Sequence, residues 1–391
     1  ASLIYFGKRS SKLSLLQAAM LAGTVRSPNK FNPLNNRETA IKRAKTVLAS
    51  MVREGFIDNI QKNNALNSEL ELKQIKKSYN NNQYFVDTVL EELNTIYGPE
   101  LVSSGGIRVF TTLNSKLQKR AEEDALHHLE FLEKKIVPRE KKLQVAAVTI
   151  DNKNGAIRVM LGGKNYGRSQ FNRALSTNRM IGSSFKPFVY LTAMQKLGFH
   201  PGTVLVDEPT VFKLPHNKKW EPANFNDEYM GPVVLKKAFS KSLNIISAKL
   251  IFKTTPTEVV KTARKFGFKS PLTKNFSLSL GATGASPFEL AAAYSVIANL
   301  GTYKAPFYVS KIEDYQGNIL YEHFVEEEKR FEPADIYPLL DMMKGVMDNG
   351  SGRVIRRMGF KYPAGGKTGT TNDFRDAWFT GFTPDLTTSV W

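Results

Sequence analysis

Residues 143–163, LQVAAVTIDNKNGAIRVMLGG, do most to constrain the fold. Two apolar runs, 143–150 and 156–163, flank the polar turn DNKNG, a pattern that predicts a β-hairpin. A helix-rich middle follows from about residue 183 to 300, and glycine-punctuated strands close the chain from GGKTGTT to TTSVW. Hairpin, helical insert and strands in that order suit an α+β domain, an antiparallel sheet packed against helices.

The first hundred residues have a different texture. Apolar spacing predicts helices over 13–25, 37–54 and 83–97. In the second, Ile41, Ala44, Val47, Leu48 and Met51 share one face and Gly55 supplies the stop. The polar stretch 61–82 reads as a solvated connector holding a short helix. GGIRVFTTLN, from Gly105, alternates like a strand, and residues 114–132 read as a helix of mixed polarity.

The chain has no cysteine, which excludes disulfides, thiol catalysis and cysteine-ligated metals. His127, His128, His200, His216 and His323 make no metal-ligand spacing, so neither a metal nor another cofactor is expected. No run of eighteen apolar residues is present. Both ends read as cut: ASLIYFGK enters patterned sequence without a methionine, and TTSVW stops inside a strand pattern. The formal net charge of +19 suits nucleic acid or an anionic wall or lipid surface, but no nucleic-acid-binding module is recognisable.

Three polar clusters carry the chemistry. In MIGSSFKPF, Ser183 and Lys186 stand three apart, a spacing that shares a face on a helix. A serine hydroxyl needs a basic neighbour to act as a nucleophile, and a lysine can serve if its pKa falls. Ser242 and Asn244 follow in KSLN, then Lys367, Thr368, Gly369 and Thr370 in GGKTGTT. Each has a plain alternative: Ser183 as an N-cap, KSLN as a cap or turn, KTG as a glycine-rich turn.

Together, SxxK, SxN and KTG stand in the order of the penicillin-binding and class A β-lactamase serine enzymes. SQFNRA (169–174), KWEPANF (219–225), SLSLGATGASPFELAAAYSVIANLG (277–301) and the closing strands extend the match. The chain resembles a class A penicillin-binding protein, the bifunctional peptidoglycan synthase. The resemblance implies a serine β-lactamase/transpeptidase-like antiparallel sheet with a helical subdomain, after an α-helical glycosyltransferase remnant. It makes Ser183 the nucleophile and Lys186 the base. Ser242 becomes the proton relay, Asn244 the orienting amide and Lys367 the cation beside Ser242. Thr368, Gly369 and Thr370 become substrate-binding residues, with the N–H groups of Ser183 and Thr370 as oxyanion hole.

The implied activity is D,D-transpeptidation of peptidoglycan stem peptides ending in D-Ala-D-Ala, with D-alanine released and β-lactams as covalent inhibitors. YFGKRSSKLSLLQAAML and the residues after it resemble the end of the family's glycosyltransferase domain, which polymerises lipid II. Glu38, Glu54 and Asp58 form no defensible carboxylate pair, so that activity is not expected of this chain. The organisation implied is 1–100 as glycosyltransferase remnant and connector, 101–142 as linker region, and 143–391 as an incomplete transpeptidase domain. If the sheet ends at Trp391, its last strands are missing and an edge is exposed. Location on the outer side of the bacterial cytoplasmic membrane, an N-terminal anchor, and divisome or elongasome partners are also implied. D,D-carboxypeptidase and non-catalytic wall-binding module stand as alternatives. A β-lactamase is disfavoured because no second base for deacylation can be located.

Overall fold

A computed structural model describes residues 2–73, 82–104, 106–135, 143–176, 178–214, 216–371 and 375–391. The chain divides into two compact units, Ala1–Ser78 and Tyr79–Trp391.

In the first unit the predicted helices run Leu15–Thr24 and Arg37–Arg53, joined by a third, Asn59–Asn67. Ser14 and Gln17 cap the first reciprocally: Gln17 N–H donates to Ser14 Oγ, and Ser14 N–H to Gln17 Oε1. Leu16, Ala19 and Met20 bury against Ala40, Ala44 and Leu48. Leu70 also enters this core, so part of the expected connector is packed, while residues 74–81 lie outside the described ones.

The second unit is built on an antiparallel sheet of β1 (Ala147–Asp151), β2 (Ile157–Leu161), β3 (Gly365–Thr370), β4 (Ala377–Phe382) and β5 (Leu386–Val390), in the order β3-β4-β5-β1-β2. The predicted hairpin is β1–β2. The expectation of an exposed edge at the last strand fails. β5 lies inside the sheet, with Thr387 opposite Phe382 on one side and Ile150 on the other. One true edge, β2, is covered. Ile157 N–H donates to Phe307 O, Asn114 N–H to Arg158 O, and the fully buried Gln118 amide exchanges two hydrogen bonds with the Met160 backbone. The other edge, β3, carries the KTG residues.

Residues 101–142, read as a linker region, include a strand, Ile107–Thr111, paired with Val309–Asp314. They also hold the helix Ser115–Lys135, whose Ala121 and Ala125 pack on Ala147, Val159 and Leu161. Alternation sends Val148, Ile150 and Met160 to the opposite face, into a core with Phe85 and Val89. Helices α1 (Lys186–Leu197), α2 (Leu235–Lys241), α3 (Asn244–Thr254), α4 (Pro287–Ala298) and α5 (Pro333–Asp348) surround the main core. α4 packs on β1, β4 and β5, and α5 joins β3 to α2. Full burial of Phe185, Phe188 and Leu191 in this main core contributes about 2 kcal/mol each. It anchors the segment that carries the SxxK pair.

Candidate active site

The SxxK segment is a 3₁₀ turn, Gly182–Phe185, running into α1. Pro187 stands in the first turn of α1, where a missing N–H costs nothing. The turn is pinned on several sides. Ile181 N–H donates to Thr283 O, Gly182 N–H to Gly281 O, Trp378 Nε1–H to Met180 O and Tyr294 O–H to Ser184 O. Two glycines make the approach possible. Gly182 has φ +53°, and a Cβ on Gly281 would lie 1.8 Å from Gly182 O. Ser183 is thus held at the mouth of a helix N-terminus, which favours developing negative charge.

Ser242 sits where α2 ends, in the left-handed region with φ 61° and ψ 38°. Glycine is usual there; a serine costs about 1 kcal/mol. Its hydroxyl explains the choice, since it accepts from Lys367 Nζ at 2.9 Å and from Lys186 Nζ at 3.3 Å. Lys186 Nζ also donates to Ser242 O at 2.6 Å, Asn244 Oδ1 at 2.9 Å and Leu243 O at 3.2 Å, and Lys367 Nζ to Thr368 O at 3.0 Å. The structure therefore brings Lys186, Ser242, Asn244 and Lys367 into one network.

Ser183 joins that network only by position. It lines a cleft of about 570 Å³ with Asn224, Ser242, Asn244, Ser351, Thr368 and Thr370. No side-chain hydrogen bond of Ser183 is seen among the described residues. The Thr370 N–H faces the same space. Thr371 N–H donates to Asp376 O, so in the alternating ladder Thr370, opposite Ala377, turns its N–H to the unpaired side of β3.

Both lysine side chains are fully buried. Burial holds Lys186 well below an ordinary lysine, and the Lys367 charge pushes the same way. Burial brings Lys367 down to about 7. A lysine at ordinary pKa would be protonated and unable to accept a serine proton; this site lowers that barrier.

Two contributors escaped the sequence reading. Asn224, inside KWEPANF, accepts from Asn244 N–H at 2.8 Å and Ile245 N–H at 3.2 Å, so it caps α3 and fixes Asn244. Its amide donates to the buried Asp207 carboxylate and to Glu228 O, and Asn244 Nδ2–H donates to Ala223 O. Ser351 lies 2.6 Å, hydroxyl to hydroxyl, from Thr368. The KWEPANF run was a visible signal for Asn224; nothing local marked Ser351. A second cleft of about 610 Å³, between Arg264, Tyr303 and Arg330, has no serine in its lining. Among the described residues no group of acidic, histidine or cysteine side chains could hold a metal ion.

Comparison with known proteins gives the context. The family described as penicillin binding protein transpeptidase domain matches residues 145–391, and that described as transglycosylase matches residues 1–52. Penicillin-binding protein 1A of Aquifex aeolicus is 31% identical over all of this chain and 64% of its own length. Penicillin-binding protein 1B of Vibrio cholerae is 31% identical over all of this chain and 50% of its own length. The chain thus spans about half to two thirds of such relatives. The crystal structure of penicillin-binding protein 1A from Haemophilus influenzae superposes with a TM-score of 0.83 at 23% identity, covering all of this chain and 77% of that one. The structure of PonA1 from Mycobacterium tuberculosis in complex with penicillin V gives a TM-score of 0.64 at 25% identity, covering 79% of this chain and 83% of that one.

Proposed function

The chain belongs to the penicillin-binding protein transpeptidase domain family, and from that premise we propose that it performs serine acyl transfer on stem peptides ending in D-Ala-D-Ala. One observation carries the reading. The Ser242 hydroxyl lies between two buried, pKa-lowered lysines, in the cleft that Ser183 lines.

Ser183 Oγ attacks the carbonyl between the two D-alanines as Lys186 takes its proton. The oxyanion is met by the N–H groups of Ser183 and Thr370, fixed dipoles that need no reorganisation. Thr368 and Thr370 hold the terminal carboxylate, with the Lys367 charge behind them. The proton passes from Lys186 through Ser242 to the leaving nitrogen, and D-alanine departs. The amine of a second stem peptide attacks the Ser183 ester, forms the cross-link and restores the serine. A β-lactam occupies the same path as far as the ester.

The peptidoglycan substrate places this chemistry on the outer side of the cytoplasmic membrane. Among the described residues no helix is long and apolar enough to cross a membrane. Residues 1–52 match the transglycosylase family, and we read them as the end of a glycosyltransferase domain, with no lipid II polymerisation assigned to this chain itself.

The test supplies a pentapeptide donor and an isotope-labelled amine acceptor. Cross-linked product matching the D-alanine released supports transpeptidation. Release with no labelled product assigns carboxypeptidase activity, and no release from donor overturns acyl transfer.

A further inference from the structure

The turn Gly350–Ser351 joins two parts of the site that come from distant sequence. Ser351 N–H donates at 3.0 Å to Ser240 O, a last-turn carbonyl of α2, the helix that ends at Ser242. A side chain at position 350 could not follow, since a Cβ on Gly350 would stand 2.3 Å from the same Ser240 O. Gly352 N–H donates to Val346 O, tying the turn to the end of α5, and Lys236 pairs with Asp341 between α2 and α5 at 2.6 Å. From this support the Ser351 side chain reaches β3, and its hydroxyl meets that of Thr368 at 2.6 Å.

We infer that Ser351 is a positioning residue for carboxylate-ended donors, acting through Thr368, and that it locks the Ser242 helix to the strand that reads the donor's end. The inference rests on the acyl-transfer reading. The chemistry is that of two hydroxyls in contact. Each has one proton, and the bond between them consumes one. With Ser351 as the donor, the Thr368 proton stays free for a ligand, and both residues line the cleft. A carboxylate, acceptor only, is the group such a pair prefers. An isolated threonine hydroxyl rotates to suit any partner; accepting from Ser351 turns its proton away from that contact and narrows the choice. Ser351 is itself exposed and belongs to no other side-chain network among the described residues, so its hydroxyl is not spent on packing.

The test uses Ser351→Thr and Ser351→Val, which match in shape and differ in the hydroxyl. Each is compared with wild type on two thioester donors, one with a free terminal carboxylate and one with that group capped as an amide. The free-carboxylate donor should lose about two- to tenfold in kcat/KM in Ser351→Val, mainly through KM, with a smaller loss for the capped donor. Ser351→Thr should keep the wild-type ratio between donors. An unchanged ratio in Ser351→Val, or equal loss on both donors, overturns the inference while leaving acyl transfer intact. A wild-type chain that forms no acyl-enzyme with either donor overturns both.

Discussion

Replacing Lys367 with methionine should make the protein more stable near neutral pH while removing its activity. Lys367 is fully buried, and its pKa falls from 10.5 to about 7. Between those values the unfolded chain holds a proton that the folded chain lacks, so stability rises with pH across the window. Below pH 7 the folded state carries the full burden of a buried ammonium, about 5 kcal/mol for a shift of this size. By pH 9 the remaining burden is about 2 kcal/mol. Methionine removes it but also removes the donors to Ser242 Oγ and Thr368 O, at about 1 kcal/mol each. The variant should therefore exceed wild type by about 3 kcal/mol at pH 6 and match it near pH 9. Loss of the neighbouring charge also relaxes the depression of Lys186, which flattens the variant's pH dependence further. Trp220, Trp378 and Trp391 all lie in the second unit, so urea unfolding followed by tryptophan fluorescence reports on that unit. A gap between the two proteins that stays constant from pH 6 to 9 refutes the reasoning.

Three other substitutions follow from the geometry. Gly281→Ala puts a Cβ 1.8 Å from Gly182 O at a position with φ +73°; it should lower stability by about 3 kcal/mol or more and abolish acylation, read by thermal unfolding and penicillin labelling. Asn224→Ala uncaps α3 and strips the buried Asp207 of its amide partner; about 2–4 kcal/mol should be lost in denaturant titration, with labelling slowed as Asn244 loosens. Ser242→Gly relieves left-handed backbone while deleting the hydroxyl between the lysines. Its unfolding midpoint should stay within about 1 kcal/mol of wild type while acylation falls by about 100-fold or more.

What could be read in the sequence follows the range of the interactions. The β1–β2 hairpin and the helices Arg37–Arg53 and Gln83–Tyr97 are local, and their apolar periods gave them away. The order of the sheet was not local. Nothing in TTSVW signals that Leu386–Val390 slots between strands that start at Ala147 and Ala377. The three polar clusters were recognisable as motifs, but the conformation that makes KSLN work was not. Only the structure places Ser242 at φ 61°, against the local preference of serine. Asn224 and Ser351 act on partners 20 and 17 residues away, beyond any pattern of short spacing.

The central claim, that Ser183 is the acylated nucleophile, is tested most directly by intact-protein mass spectrometry after exposure to penicillin. Wild type should gain the mass of one penicillin, with the adduct mapped to the peptide holding Ser183. Ser183→Ala should gain none while keeping its unfolding midpoint, since the hydroxyl has no partner among the described residues to lose. An adduct that persists in Ser183→Ala, or a wild type that never forms one, contradicts the account.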